Sequence, residues 1–504
     1  MAATSHPDLM RLANSVLQPG FVGTTAPDWL LRRIGEGLRS VVLFGRNIVD
    51  PEQVRALTGS LRAENPDLIV AIDEEAGDVT RLEARNGSSW PGNLALGAVD
   101  DVDLTERVAR DIGRALREAG VSLNYAPSAD VNSNPANPVI GVRSFGSRTD
   151  VVARHTAAWV RGLQSAGVAA CAKHFPGHGD TSVDSHHGLP RVTADAASIA
   201  RIALPPFVAA MEAGVRTVMT AHMLAPAFDE EWPATLSDRV IGDLLRKELG
   251  FTGLVVTDGI EMAAVSDRYG IEGATVRAVT AGCDAVCVGG ESAEAATTER
   301  LADALVAAVL DGTLPEERLA EAAGRVEEFA AWSAGLVRAA TADETAGGIG
   351  LVAARRAVTV HRNPAAGVRF PLAGDPHVVE LSPVTNLAID GSTPWGVAEP
   401  LRALRPGTTS VRIGEYDLTD DPGLLEREAL TPAAGRALVV VVRDTARCPW
   451  MARALATLVR HRPDALVVEM GVPGGERPGA VHVITHGATR VSGIAAAELL
   501  VGAG

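Results

Sequence analysis

Cysteine is nearly absent, with four in 504 residues. Cys171, Cys283, Cys287 and Cys448 are too few for the disulfide framework of a small secreted scaffold. Cys283 and Cys287 are spaced like one helix turn, yet they sit in AGCDAVCVGG, which reads as a buried strand; both are expected as small buried hydrophobes. Positive charge is in deficit: 46 Lys and Arg against 62 Asp and Glu leave a formal net charge of −16. That balance argues against nucleic acid or an anionic membrane surface as the main partner. No apolar run is long enough to span a bilayer. The opening residues hold no uninterrupted apolar stretch of the secretory kind, so the expected location is the cytoplasm. Solenoid-period repeats and low-complexity tracts are missing as well.

What is present describes a soluble globular protein, 46% hydrophobic and 21% charged, of a length that suggests two or more domains. Up to about residue 335, short β-branched runs alternate with amphipathic helical stretches. The runs are Ser40–Phe44, Leu68–Asp73, Ser122–Pro127, Val168–His174, Thr217–Met223, Gly253–Asp258 and Asp284–Gly289. With an early PGFVG they make eight, and strands alternating with helices imply βα units and a parallel sheet. The fold class expected is α/β: an N-terminal (β/α)8 TIM-type barrel over residues 1–335, a linker at 336–352, and a smaller open-sheet α/β sandwich domain over 353–504. In the last block the expected strands are Pro376–Leu381, Ala437–Arg443, Ala465–Met470 and Val481–His486.

Polar residues close several runs: Asp73, Lys173 with His174, His222, and Asp258. Strand C-termini form the active-site face of such a barrel, so a shared site is expected there. Asp258, after the apolar strand GLVVT and before a glycine, could act as nucleophile, base or metal ligand. The segment KHFPGHGDTSVDSHH, Lys173 to His187, holds four of the twelve histidines. Two readings of it stay open. His174, His178, Asp180, Asp184, His186 and His187 could supply metal ligands. Alternatively Asp184, two residues before His186 in an extended loop, could hold that imidazole by its Nδ1–H and make it an acid/base.

KHFPGHGDTSVDSHHGLP resembles the signature loop of the β-N-acetylhexosaminidase branch of glycoside hydrolase family 3. AIDEEAGDVTRL (Ala71–Leu82), NSNPANPVIGVRSFG (Asn132–Gly146), VMTAHMLAPAFD, PATLS and GLVVTDGIEM are similar to other segments of that family, in the same order. The resemblance covers about residues 15–335, and more loosely the remainder. It implies a retaining exo-β-N-acetylglucosaminidase. Asp258 would be the nucleophile, His186 the acid/base and Asp184 its partner. Asp73, Arg81, Arg143, Lys173 and His174 would hold the N-acetylglucosamine hydroxyls. No metal and no cofactor are implied. The expected partners are small carbohydrates, N-acetylglucosaminides or muropeptide fragments, with no nucleic acid and no membrane, on a monomer or homodimer. A role in cell-wall recycling would follow. A phosphorylase on the same substrates, a metal-dependent barrel hydrolase and a non-catalytic carbohydrate-binding protein are the alternatives. Two departures stand out: the family's Asp-Gln-Glu-Gly-Gly reads Asp73-Glu74-Glu75-Ala76-Gly77 here. The acidic residues of the C-terminal domain receive no role.

Overall fold

The structure is a computed structural model that describes residues 6–186, 188–339, 348–384 and 388–503. Its packing divides the chain into two compact units that do not follow the chain in simple blocks. The first comprises the described residues up to Glu75, Thr105–Ile140 and those from Ser147 to 339; the second comprises Ala76–Leu104, Gly141–Gly146 and the residues from 348 onward. Two segments inside the block expected to be barrel therefore pack with the C-terminal residues. Of the expected linker, 340–347 lie outside the described residues, and its flanks belong to helices Glu316–Ala339 and Ile349–Ala357.

In the first unit the strands are β1 (Leu17–Pro19), β2 (Ser40–Leu43), β3 (Ile69–Ile72), β4 (Leu123–Asn124), β5 (Ala169–Phe175), β6 (Thr217–Thr220), β7 (Leu254–Thr257) and β8 (Val286–Val288). Strands β2 to β7 form one sheet in chain order, parallel throughout, and β1 pairs in parallel with β8. A bridge between Val256 and Ala285 joins β7 to the β8 strand, and the Ser40 hydroxyl donates to the Leu17 carbonyl at 3.3 Å between β2 and β1. The order is circular, which is the eight-stranded parallel barrel. Strand β1 ends on Pro19, the first residue of the expected PGFVG.

Period-two alternation fills the barrel. Ile69 and Ala71, Ala169 and Cys171, Leu254 and Val256, and Ala285 and Cys287 belong to one buried cluster with Tyr125 and Met219. Val326, Phe329 and Ala330 of helix Glu316–Ala339 join it. Cys283 and Cys287 are both buried thiols, as their strand context implies. Helix Val102–Glu118 buries Leu104, Val108, Ile112 and Leu116, a four-residue spacing that makes one apolar face. Gly120 then turns the chain at φ +80°, where a Cβ would lie 2.1 Å from Thr58 Oγ1.

At the strand N-termini, Asp284 is fully buried. Its Oδ1 accepts from Arg318 at 2.7 Å and Arg325 at 3.3 Å. Its Oδ2 accepts from Arg246 at 2.5 Å and from the Val255 N–H at 2.9 Å. One carboxylate thus ties β7 and β8 to helices Arg239–Glu248 and Glu316–Ala339.

The second unit is an α/β sandwich. Its strands are β9 (Thr359–Arg362), β10 (His377–Leu381), β11 (Thr409–Ile413), β12 (Leu438–Val442), β13 (Leu466–Glu469) and β14 (Val481–Ile484), ordered β11-β10-β12-β13-β14-β9 with only β9 antiparallel. Alternation again assigns the faces. Val439 and Val441 pack with the terminal helix Arg490–Val501 through Ala496, Ala497 and Leu500. Leu438, Val440 and Val442 pack with Met451, Leu455 and Leu458 of helix Pro449–His461. Strands β9 and β11 were not expected from the sequence.

Segment Ala76–Leu104 is fastened to this unit by buried charge. Asp78 pairs with Arg443 and accepts from the Ala488 N–H at 2.9 Å. Burial raises the Asp78 carboxyl, and Arg443 opposes that rise. Just before it, Ala76 sits at φ +60°, the left-handed region where a Cβ crowds the backbone. This is one of the two motif departures, and it places alanine where the resembled motif has glycine. Ala76→Gly is expected to stabilise the protein by about 0.5–1 kcal/mol, relief of strain less the extra unfolded-state entropy of glycine; thermal unfolding of the two proteins reads the difference.

Candidate active site

The site in the first unit is built on the C-terminal ends of the barrel strands. Asp258 directly follows β7 and is half-buried. Its Oδ1 accepts the Gly259 N–H at 2.8 Å. Burial alone would raise its pKa, but His174, His222, the Gly259 N–H and His186 together bring it down to about 2. A carboxylate that stays ionised and faces three imidazoles suits a nucleophile or an electrostatic stabiliser.

His222 closes β6 and is fully buried. Its Nε2 lies 2.8 Å from the Gly259 carbonyl and its Nδ1 2.8 Å from Thr235 Oγ1. A carbonyl can only accept, so Nε2 carries the proton; burial lowers the ring's pKa, and Nδ1 sits against a threonine hydroxyl that also lies 3.0 Å from the Ala221 carbonyl. His222 therefore holds the peptide next to Asp258.

The β5 end organises the other groups. Its pairing with β6 shifts register between Ala172 and Phe175, a bulge that re-aims Lys173 and His174. Lys173 is 1% exposed. Its ammonium pairs with Asp73, at the end of β3, and with Glu75 at 2.6 Å. His174 Nδ1–H donates to Asp130 Oδ2 at 2.7 Å. Asp130 also accepts the His178 N–H at 2.6 Å and the Ser128 hydroxyl at 3.0 Å, and is itself fully buried. Burial would raise Asp130, but His174 and His178 outweigh it and its pKa is lowered.

On the loop beyond, Asp184 Oδ1 accepts from His186 Nδ1–H at 2.7 Å and from the His186 N–H at 3.0 Å. The side chain of Asp184 is 9% exposed and that of His186 27%. The carboxylate is sheltered while the ring still meets solvent. Between the two ends, His178 Nδ1 pairs with Thr181 Oγ1 at 2.7 Å, and burial pulls its pKa down to about 4, leaving it neutral. The Nδ1 atoms of His174, His178 and His186 thus have three different partners. Among the described residues no group of three or more His, Cys, Asp or Glu side chains is placed to hold a metal ion. His187 lies outside the described residues.

Of the residues singled out in the sequence, Asp73, Lys173, His174, Asp184, His186 and Asp258 are in this unit. Arg81 and Arg143 are in segments of the second unit. There the Arg81 guanidinium donates to the Ala388 carbonyl at 3.0 Å, and the Arg143 carbonyl accepts from Asn93 at 2.7 Å. Sequence reasoning missed Asp130 and Glu75 as parts of the arrangement, although Asp130 had the same signal as Asp73 and Asp258, an acid shortly after an apolar strand. Glu261 was missed too. Its Oε1 accepts the N–H groups of Gly289, at 2.9 Å, and Glu291, at 3.2 Å, with that of Gly290 between them, which links the turn after Asp258 to the turn after β8. Glu74, the other motif departure, is fully buried, and its backbone exchanges hydrogen bonds of 2.8 and 2.9 Å with the Asn124 side chain.

Comparison with known proteins gives consistent matches. The model of the glycosyl hydrolase family 3 N terminal domain matches residues 33–329. Beta-hexosaminidase A of Pseudoalteromonas piscicida is 39% identical over 284 residues, which are 52% of this chain and 47% of that protein, so the chain spans about half of that relative's length. A beta-hexosaminidase of Alkalilimnicola ehrlichii is 38% identical over 49% of this chain and 72% of its own. The solved structure of a glycoside hydrolase family 3 beta-N-acetylglucosaminidase from Paenibacillus sp. str. FPU-7 superimposes with a TM-score of 0.83, at 33% identity, over 98% of this chain and 97% of the other.

Proposed function

The chain belongs to glycoside hydrolase family 3, in its β-N-acetylhexosaminidase branch, and from that premise we propose that it is a retaining exo-β-N-acetylglucosaminidase with an Asp–His acid/base. The observation that carries the proposal is the Asp184–His186 pair at 2.7 Å together with an Asp258 carboxylate whose pKa His174, His222 and His186 help to depress against burial. Retaining glycosidases need a nucleophile on one face of the sugar and a proton donor beside the leaving oxygen. In the first step Asp258 attacks the anomeric carbon while His186, protonated, gives its Nε2 proton to the departing oxygen. In the second, neutral His186 takes a proton from water as that water displaces Asp258. Asp184 holds the Nδ1–H through both steps, which fixes the tautomer and favours the imidazolium. Lys173, with two carboxylates on its ammonium, fixes Asp73 at the rim, where a hydroxyl of the sugar would be oriented. A part in recycling cell-wall muropeptides in the cytoplasm goes with this reading.

A panel of p-nitrophenyl β-glycosides tests it. Turnover is expected to favour the N-acetylglucosaminide, with the β-anomer as first product by NMR and no sugar 1-phosphate in phosphate buffer. Turnover of plain glucosides without the acetamido sugar would sink the substrate assignment, and sugar 1-phosphate would replace the hydrolase by a phosphorylase.

Asp130 offers a second check within the same assay. Asp130→Asn puts an amide that can donate against the N–H groups of His174 and His178, so the His174 ring loses its charged acceptor. A drop in kcat/KM on the order of 10²-fold is expected, the usual scale for a misplaced binding group, with the β-anomeric product unchanged.

A further inference from the structure

Helix Ala263–Ala281, which follows the Asp258 turn, is broken at Gly270, where φ is 66° and ψ 159°. Its first segment, Ala263 to Tyr269, is therefore set apart from the rest of the helix. The N-terminal end of this segment touches the acid/base loop: the Ala264 N–H donates to the Ser185 carbonyl at 3.3 Å. Ser185 stands between Asp184 and His186, so this bond holds the peptide that carries both.

The far end of the segment is fixed by rings. Tyr269 stacks on Trp232, with centroids 5.2 Å apart and planes 29° apart. The Arg277 guanidinium lies 4.5 Å from the centre of the Trp232 ring, and that of Arg268 5.2 Å from the Tyr269 ring. Aromatic rings on this face of a glycosidase invite a role as a sugar platform, but these two are already engaged with each other and with arginines. The Tyr269 hydroxyl is buried with no hydrogen-bond partner, so the position uses the ring and not the phenol. Trp232 is in turn held by a rigid turn: Asp229 accepts the N–H groups of Glu231 and Trp232 at 2.9 and 3.1 Å and the Ser237 hydroxyl at 2.6 Å. The same loop supplies Thr235, the partner of His222 beside the nucleophile. One loop thus reaches the nucleophile's turn through Thr235 and the acid/base peptide through Trp232, Tyr269 and Ala264.

We infer that the Trp232–Tyr269 stack is a positioning element for the acid/base, setting the Asp184-Ser185-His186 peptide relative to Asp258 through the 263–269 segment. This rests on the acid/base role proposed for His186. Tyr269→Ala and Trp232→Ala, with Trp232→Leu should the alanine variant not fold, are to be measured on two substrates. One is 2,4-dinitrophenyl β-N-acetylglucosaminide, whose leaving group needs no proton; the other is N,N′-diacetylchitobiose, whose leaving group does. The expected result is a loss of kcat/KM of about 10–100-fold on the disaccharide, with a far smaller loss on the dinitrophenyl substrate, and recovery of both in Tyr269→Phe. Amide exchange in the peptide spanning residues 182–186 is expected to quicken in the alanine variants and to return to the wild-type rate in Tyr269→Phe. Equal losses on the two substrates, or unchanged exchange in that peptide, overturn the inference. His186→Ala separates it from the functional reading: if that variant shows no preference for the dinitrophenyl substrate, the acid/base assignment is what fails, and the exchange rates still decide whether the stack positions the loop.

Discussion

Asp258→Ala is expected to lower the turnover of an aryl N-acetylglucosaminide by on the order of 10⁵-fold, the scale seen when a covalent nucleophile is removed from an otherwise intact site. LVVT is buried along its whole length in β7, so the residue after it is delivered to the barrel mouth with little freedom. Gly259 and His222 then fix the peptide that follows, through bonds of 2.8 Å each. Removing the carboxylate leaves this frame standing, so the loss should be in chemistry and not in fold. Azide gives a sharper reading than the rate alone. It can enter the space left by the carboxylate and attack the same face of the sugar, which yields the α-glycosyl azide; combined with a β-anomeric first product from the wild type this marks Asp258 as the nucleophile, whereas an α-anomeric first product would make it a base for water. The ionisation of Asp258 adds a pH statement. Its pKa is depressed from 3.8 to about 2, so the reactive anion is fully present above about pH 3. It is lost only as the pH falls through about 2. Any fall in activity between pH 3 and 6 must then come from another group, and an acid limb in that range that disappears in a residual-activity variant of Asp258 would contradict the assignment.

The largest effect on stability is expected at the opposite end of the barrel. Asp284 is 0% exposed and meets Arg246, Arg318 and Arg325. Asp284→Asn keeps the shape but removes the charge, leaving three guanidinium groups in a partly desolvated corner. Breaking a buried ion pair costs about 3–5 kcal/mol. The arginine side chains keep 13–27% of their exposure, so the low end, about 3 kcal/mol, is the expected value. Urea unfolding of the two proteins should show it as an earlier transition of the barrel. As a contrast, the Lys247–Asp243 pair, 78% and 62% exposed, should cost less than about 1 kcal/mol when broken by Asp243→Ala. If the two variants lost the same amount, the buried cluster would not be the clamp that its geometry indicates.

Much of this arrangement was legible in the residues because it was written in local pattern. Alternating apolar runs gave the barrel strands, and polar residues at their ends gave Asp73, Lys173, His174 and Asp258. The spacing of Asp184 and His186 gave their hydrogen bond. What escaped was non-local or unpatterned. Strands β9 and β11 have mostly exposed residues, Thr-Val-His-Arg and Thr-Ser-Val-Arg-Ile, and at a sheet edge little apolar alternation is required of them. Strand β4 is only two residues long, so the run Ser122–Pro127 overstated it and drew attention away from Asp130, which lies beyond the strand and gains its meaning only when β5 brings His174 and His178 beside it. Glu75 read as one more acid in an acidic motif until Lys173, distant in sequence, was placed against it. The division of the chain escaped for the same reason: a boundary drawn along the sequence at 335 cannot show that 76–104 and 141–146 pack elsewhere.

That division bears on how such a chain can be cut. Asp78 is buried against Arg443 and the Ala488 N–H, and Gly350 approaches so closely that a Cβ there would lie 1.9 Å from the Ser89 carbonyl. A gene ending near codon 340 would thus encode a barrel whose third-strand loop has lost the surface it folds on, with an ionised aspartate and apolar contacts turned out to water. The C-terminal residues behave in this respect like a built-in chaperone for two early segments of their own unit, and the arginines on those segments, Arg81 and Arg143, are folded by a part of the polypeptide that follows them by hundreds of residues.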